Sequence, residues 1–154
     1  MKISLGCDHA GFHLKAAVAA HLQSLGCEVV DHGCHSADAV DFPDIARLVC
    51  HSVLNGDAER GIMVCGTGVG ACIAANKIPG IRAAVCHDFH SAHQSVEHDD
   101  VNVMCIGAQI VGAWLAKDLI ASFIQATFST EEQFRRRVEK LADLEREAAQ
   151  KQSH

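Results

Sequence analysis

A chain of 154 residues with 49% hydrophobic and 21% charged residues has the size and make-up of one globular domain, able to bury a core without disulfide or metal staples. Its formal charge of −6 leaves no broad basic surface for nucleic acid. No apolar run reaches the ~18 residues of a membrane span, and Met1 to Gly6 leads into Asp8 and His9 without the apolar core of a signal peptide, so a cytoplasmic protein without a membrane partner is expected.

Lys2 to Cys7 reads as a short strand, and Leu14, Val18, Leu22 and Leu25 then recur at helical spacing until Gly26 stops the helix. Cys27 to Asp31 makes a second strand that opens into the polar segment from His32 to Asp41. A helix beginning near Pro43 ends at Asn55-Gly56, and Gly61 to Cys65 follows as a continuous apolar strand of the kind buried on both faces of a parallel sheet. After Gly66-Thr67-Gly68-Val69-Gly70 comes a small-residue helix from Ala71 to Lys77, closed by Pro79-Gly80. Ile81 to Cys86 is the next strand, Ser91 to Glu97 a helix, Val101 to Ile106 a fifth strand and Val111 to Ala126 a long amphipathic helix. This alternation predicts a single Rossmann-like α/β/α sandwich over residues 1–154, with a five-stranded parallel sheet and ligands at the carboxyl ends of the strands. From Thr130, which can cap it, a charged C-terminal helix runs over about residues 130–149 with a thin apolar seam of Phe134, Val138, Leu141 and Leu144. Such a stripe suits another subunit, and packing on its own domain is the competing use. Gln150 to His154 should fray.

Eight cysteines and eleven histidines stand out in this composition. No two cysteines are spaced as CxxC, and in an unexported chain they read as small buried hydrophobes. His87, His90 and His93 have spacings that can present ligands on one side of a turn, although no Cys/His quartet or HExxH completes a metal site. Cys65 is the exception among the thiols. It stands just before a glycine loop at a helix start, where backbone amides face an anion and would lower its pKa from ~8.5. The loop is neither a Walker A sequence nor GxGxxG, so on pattern alone a nucleotide turn, a structural turn and sugar chemistry all stay open. Asp8-His9 ends the first strand and His98-Asp99 precedes the fifth, so both pairs are expected at the same rim of the sheet as Cys65.

Gly6-Cys7-Asp8-His9-Ala10-Gly11-Phe12, the run Cys65-Gly66-Thr67-Gly68-Val69-Gly70 leading to Ala74-Ala75-Asn76-Lys77, Gly80-Ile81-Arg82-Ala83 and His98-Asp99-Asp100-Val101-Asn102-Val103 together resemble the family of ribose-5-phosphate isomerase B and the galactose-6-phosphate isomerase subunits. The resemblance runs in order from residue 2 to about residue 145. It implies an aldose–ketose isomerase acting on a sugar or sugar phosphate, with Cys65 as the base that moves a proton between C1 and C2. Thr67 and the amides of Gly66, Gly68, Val69 and Gly70 would hold the oxyanion. Asp8 and His98 would open the furanose ring, and His9 would lie near the phosphate. It implies no cofactor or metal, and a homodimer or dimer of dimers whose sites lie between subunits, with basic groups from the C-terminal helix.

The chain departs from the family pattern at the phosphate end. Asp99 stands where ribose-phosphate members often have Asn, Gln109 replaces an Arg, Glu131-Glu132-Gln133-Phe134 replaces Gly-Gly-Arg-His, and Phe42 stands for a Tyr; Arg137 is kept. Arg137, Gln109, Gln133 and Asp99 are therefore the expected contacts of the distal end of the substrate. The departures leave room for a non-standard or unphosphorylated sugar. A small-ligand binding module on the same scaffold, or a metal-dependent isomerase using His87, His90 and His93, are the other readings.

Overall fold

The computed structural model describes residues 1–153. The elements are β1 (Lys2–Cys7), α1 (Phe12–Ser24), β2 (Glu28–Asp31), α2 (Phe42–Leu54), β3 (Arg60–Cys65), α3 (Val69–Ala75), β4 (Ala83–Val85), α4 (Phe89–Asp99), β5 (Val103–Gly107), α5 (Ala113–Gln125) and α6 (Glu132–Gln152). All five strands form one parallel sheet in the order β2-β1-β3-β5-β4.

Alternation along the central strands sorts the core into two layers. Ile3, Leu5, Ile62, Val64, Met104 and Ile106 face α1, α4 and α5. Met63, Cys65, Val103 and Cys105 face α2 and α3. A continuous apolar strand is thus what a sheet covered on both sides requires. Steps toward the β2 edge use α1 and α4 on one face, and steps toward the β4 edge use α2 and α3 on the other, as one handedness of crossover dictates. β1 and β3 leave in opposite directions, which makes the gap at their carboxyl ends the topological switch point.

Several boundaries differ from expectation. β4 has only three residues, because Arg82 N–H donates to the Asn102 side chain and not to the ladder. α3 begins at Val69, so Val69 and Gly70 belong to its first turn and the loop proper is Gly66 to Gly68. The position before α6 is taken by Glu131, not Thr130, with the Glu131 amide donating to Ser129 Oγ. α6 continues to Gln152 where fraying was expected, while His154 lies outside the described residues. None of the residues of α6 is buried. It rests on α4 through Phe134, stacked on His98 at 3.9 Å between ring centres, and on the connection before β4 through Glu145, which accepts from Gly80 N–H at 3.0 Å.

Candidate active site

The switch point brings Asp8 and Cys65 to one rim. Asp8 follows β1 and its amide donates to Val64 O at 3.2 Å, one residue before the thiol. Its side chain is 7% exposed; Oδ1 accepts from Gly11 N–H at 3.0 Å and so closes the turn into α1, while Oδ2 has no partner among the described residues. The structural and chemical readings of Asp8 therefore use different oxygens. His9 is exposed beside it, with Nδ1 accepting from Val40 N–H at 3.3 Å.

Cys65 ends β3, 4% exposed, and its Sγ accepts from Gly68 N–H at 3.0 Å. That bond needs the chain to double back within three residues. Gly68 does this with φ +82°, and a side chain there would press on the β5 backbone at Ile106. Thr67 is exposed, and its Oγ1 accepts from Val69 N–H at 3.3 Å. Two of the expected oxyanion donors, the amides of Gly68 and Val69, are thus already engaged within the loop. Those of Thr67 and Gly70 donate to no group among the described residues.

The loop rests on the turn after β5. Ala108 N–H donates to Cys65 O at 2.7 Å and Gln109 N–H to Gly66 O at 3.0 Å. The Gln109 side chain lies over Gly66, within 3.2 Å of where a Cβ would stand. Phe42 covers Gly70 in the same way.

His98 and Asp99 lie elsewhere. They end α4, which starts at the carboxyl end of β4 and runs back to the amino edge of the sheet, where Arg82 pairs with Asp100 at 2.9 Å. The five residues of β5 separate that edge from Cys65, roughly 15 Å at ~3.3 Å per residue. The expectation of a shared rim is corrected: a helix inserted between two parallel strands returns the chain to the opposite edge. Phe134 and Arg137 of α6 collect at His98 too, with the Arg137 guanidinium 5.6 Å from the Phe134 ring centre, while Gln133 Nε2 donates to Glu131 at the start of the same helix. A cleft of about 410 Å³ opens there between Arg82, Asp99, Leu141 and Glu145. One chain thus carries the expected site residues in two separate groups, one at the thiol rim and one at the His98 edge.

The three histidines considered as metal ligands do not converge. His87 Nε2 accepts from Gly107 N–H at 2.9 Å, and His93 pairs with Glu97 at 3.1 Å. Among the described residues no group of three or more His, Cys, Asp or Glu side chains gathers into a cation site. The link from His87 to Gly107 was not read from the sequence; the available signal was a histidine one residue past the end of an edge strand.

A buried thiol against amides and a half-committed carboxylate, at the switch point of a doubly wound sheet, mark the place where an α/β protein of this class takes a small ligand. Comparison with known proteins makes the class specific. The chain belongs to the Ribose/Galactose Isomerase family, which matches residues 3–141. It is 46% identical over 127 residues to ribose-5-phosphate isomerase B of Escherichia coli (strain K12), covering 82% of this chain and 85% of that one. It is 38% identical over 129 residues to D-erythrulose-4-phosphate isomerase of Pectobacterium atrosepticum, covering 83% and 85%. The solved Clostridium thermocellum ribose-5-phosphate isomerase B superposes with a TM-score of 0.93 at 42% identity, over 96% of this chain and 99% of that one. The chain is accordingly an aldose–ketose isomerase.

Proposed function

We propose that the chain interconverts ribose 5-phosphate and ribulose 5-phosphate, as one isomerase domain working in a cytoplasmic homodimer or dimer of dimers. The observation that carries this is the Cys65 sulfur held at a loop whose Thr67 and Gly70 amides are free to donate. Cys65 takes the C2 proton of the open-chain aldose. The C–H electron pair becomes the C1–C2 double bond and the carbonyl pair moves to O1, where Thr67 and the free amides stabilise the enediolate. Returning the proton to C1, with a proton passing from O2 to O1, gives the ketose. Oδ2 of Asp8 and the imidazole of His98 serve ring opening, and His9, Gln109, Asp99, Gln133 and Arg137 the distal hydroxyls and phosphate.

His98 and Arg137 enter this scheme from a second copy. A two-fold axis that sets the His98 edge of one chain on the thiol rim of its partner completes both sites at once. The exposed Leu141 and Leu144 on a helix with no buried residue support it.

The test is ribose 5-phosphate turnover with Cys65→Ala. A drop in kcat of at least about a thousandfold is expected, with the fold and substrate binding kept; near-normal turnover would remove Cys65 from the mechanism. A different sugar is the second reading. It is favoured by Gln109, a neutral amide over Gly66 that cannot offer the bidentate fork of Arg to a phosphate. kcat/KM across four- to six-carbon sugars, free and phosphorylated, decides between them.

A further inference from the structure

We infer that His87 is a positioning residue for the Cys65 loop: its neutral imidazole fixes Gly107, and Gly107 is the floor on which Gly66 and Thr67 lie. The inference rests on the isomerase reading for its catalytic consequence, though not for its structural one.

The geometry begins with an interrupted ladder. Cys86 N–H donates to Cys105 O, the last rung between β4 and β5. In a parallel ladder the next rung would run from Gly107 N–H to the Cys86 carbonyl. That amide is accepted by His87 Nε2 instead, at 2.9 Å. Gly107 is buried, so without the imidazole its N–H would be left without a partner.

Gly107 stands in register with Cys65 on the adjacent strand. A Cβ on Gly107 would lie 2.6 to 2.7 Å from the Thr67 carbonyl carbon, the Gly66 oxygen and the Thr67 Cα, so the two backbones touch with nothing between them. The same turn holds the Cys65 and Gly66 carbonyls through the amides of Ala108 and Gln109. Any movement of Gly107 is passed to the residue beside the thiol and to the Thr67 hydroxyl.

Accepting at Nε2 requires the neutral ring with its proton on Nδ1, since a protonated ring would set N–H against N–H. Burial pushes the His87 pKa below 6.5, which favours that form. The titratable groups around it are Cys86, Asp88 and His90 on its own segment, with Asp88 committed to the Ser91 amide at 2.7 Å, and the Cys65 and Cys105 thiols on the neighbouring strands. Residues 106–116 carry no titratable side chain. The contact is therefore intact at neutral pH and is lost as pH falls through the lowered pKa of His87.

The experiment compares wild type, His87→Ala and His87→Gln, whose Oε1 can replace Nε2 as acceptor. Amide spectra of ¹⁵N-labelled protein and kinetics with ribose 5-phosphate are recorded from pH 5 to 8. In wild type the Gly107 and Thr67 amide signals should shift together with one midpoint below 6.5. His87→Ala should lower kcat about tenfold with KM within about twofold, as expected when a reacting group is misplaced and binding is kept. His87→Gln should restore kcat to within about threefold and abolish the Gly107 titration. A pH-independent Gly107 amide, a His87→Ala change confined to residues 86–88, or unchanged kcat in a folded His87→Ala protein would each overturn the inference. The spectra need no substrate, so absence of turnover in wild type would refute ribose 5-phosphate as the substrate and still leave the link from His87 to Thr67 tested.

Discussion

Cys72 and Cys105 act on one another on the α3 side of the sheet, and this coupling drives their acidities apart. Cys105, fully enclosed, is held well above the usual thiol range, first by its neighbour Cys72 and then by burial. The influence of Cys105 outweighs the partial burial of Cys72 and brings its thiol to about 7, with further help from Val85 and from Asn76, whose Nδ2 donates to Sγ at 3.5 Å. Burial alone pushes Cys50 up to about 11 and is the main cause that raises Cys7 to about 12. Thiolates alkylate and thiols do not, so brief iodoacetamide treatment at neutral pH should label the partly exposed Cys72 before Cys7 or Cys50, with a rate that rises through pH 7 and then levels off. Peptide mapping by mass spectrometry reads this directly. Equal labelling of Cys50, or a Cys72 rate still climbing steeply above pH 8, would contradict the assignment. Nothing in the sequence separates Cys72 from its seven counterparts, because its acidity comes from β5, far away in the chain. Cys65 was legible because its signal is local, a strand end followed directly by glycines.

The segment between β2 and α2 is a long connection with no regular structure of its own, and its start is tied down by one ion pair. Lys15 on α1, its side chain 9% exposed, donates to Asp31 Oδ1 at 2.9 Å and to Cys34 O at 2.6 Å. Asp31 Oδ1 also accepts from Gly33 N–H at 2.8 Å. Burial by itself would raise the Asp31 pKa, but the Lys15 ammonium and the Gly33 amide outweigh it and hold it below 3.8. A carboxylate depressed in the fold contributes stability above its unfolded pKa and loses it as pH falls through the folded value. Asp31→Asn should therefore lower stability at pH 7 by about 1–2 kcal/mol. The difference in urea midpoint from wild type should shrink once pH drops below 3.8. A constant difference from pH 7 to pH 3 would show that the pair is not what matters. The sequence marked this connection as polar and loop-like but offered no partner for Asp31, since Lys15 reads as one more solvated helix residue. Similar reasons explain the other element-level misses. α4 starts at Phe89, two residues before the expected Ser91, because Asp88 accepts from the Ser91 amide and caps it. β4 is cut short by the Asn102 side chain, which takes the Arg82 amide from twenty residues away.

At the scale of the molecule, alternating strands and helices announce the layers but not the order of the strands, and here the order decides the chemistry. β5 is last in the chain and lies beside β3, which is how Gly107 and Gln109 come to support the Cys65 loop. The two ends of each crossover fall on opposite edges, which is why Asp8 and His98, adjacent in the expected site, are separated by the depth of the sheet within one chain. The apolar stripe of the C-terminal helix suited a second copy, but only the resemblance hinted that such a copy would share the site. This geometry makes a prediction that a site built within one chain does not. If each active site takes Cys65 from one chain and His98 from the other, Cys65→Ala and His98→Asn should each be nearly inactive alone. Unfolding the two together in equal amounts and refolding them gives mixed dimers for half of the population. In a mixed dimer one site carries both substitutions and the other carries neither, so about a quarter of wild-type activity should return. A site contained in one chain would give no recovery whatever the mixing, because every chain would carry a defect. Mixing without unfolding serves as the control: activity should appear there only as fast as subunits exchange. Phe134→Ala provides an independent check from α6, since removing the ring stacked on His98 should loosen that imidazole and lower kcat in the variant alone, yet mixing it with Cys65→Ala should again return about a quarter of wild-type activity on top of what the remaining Phe134→Ala homodimers contribute.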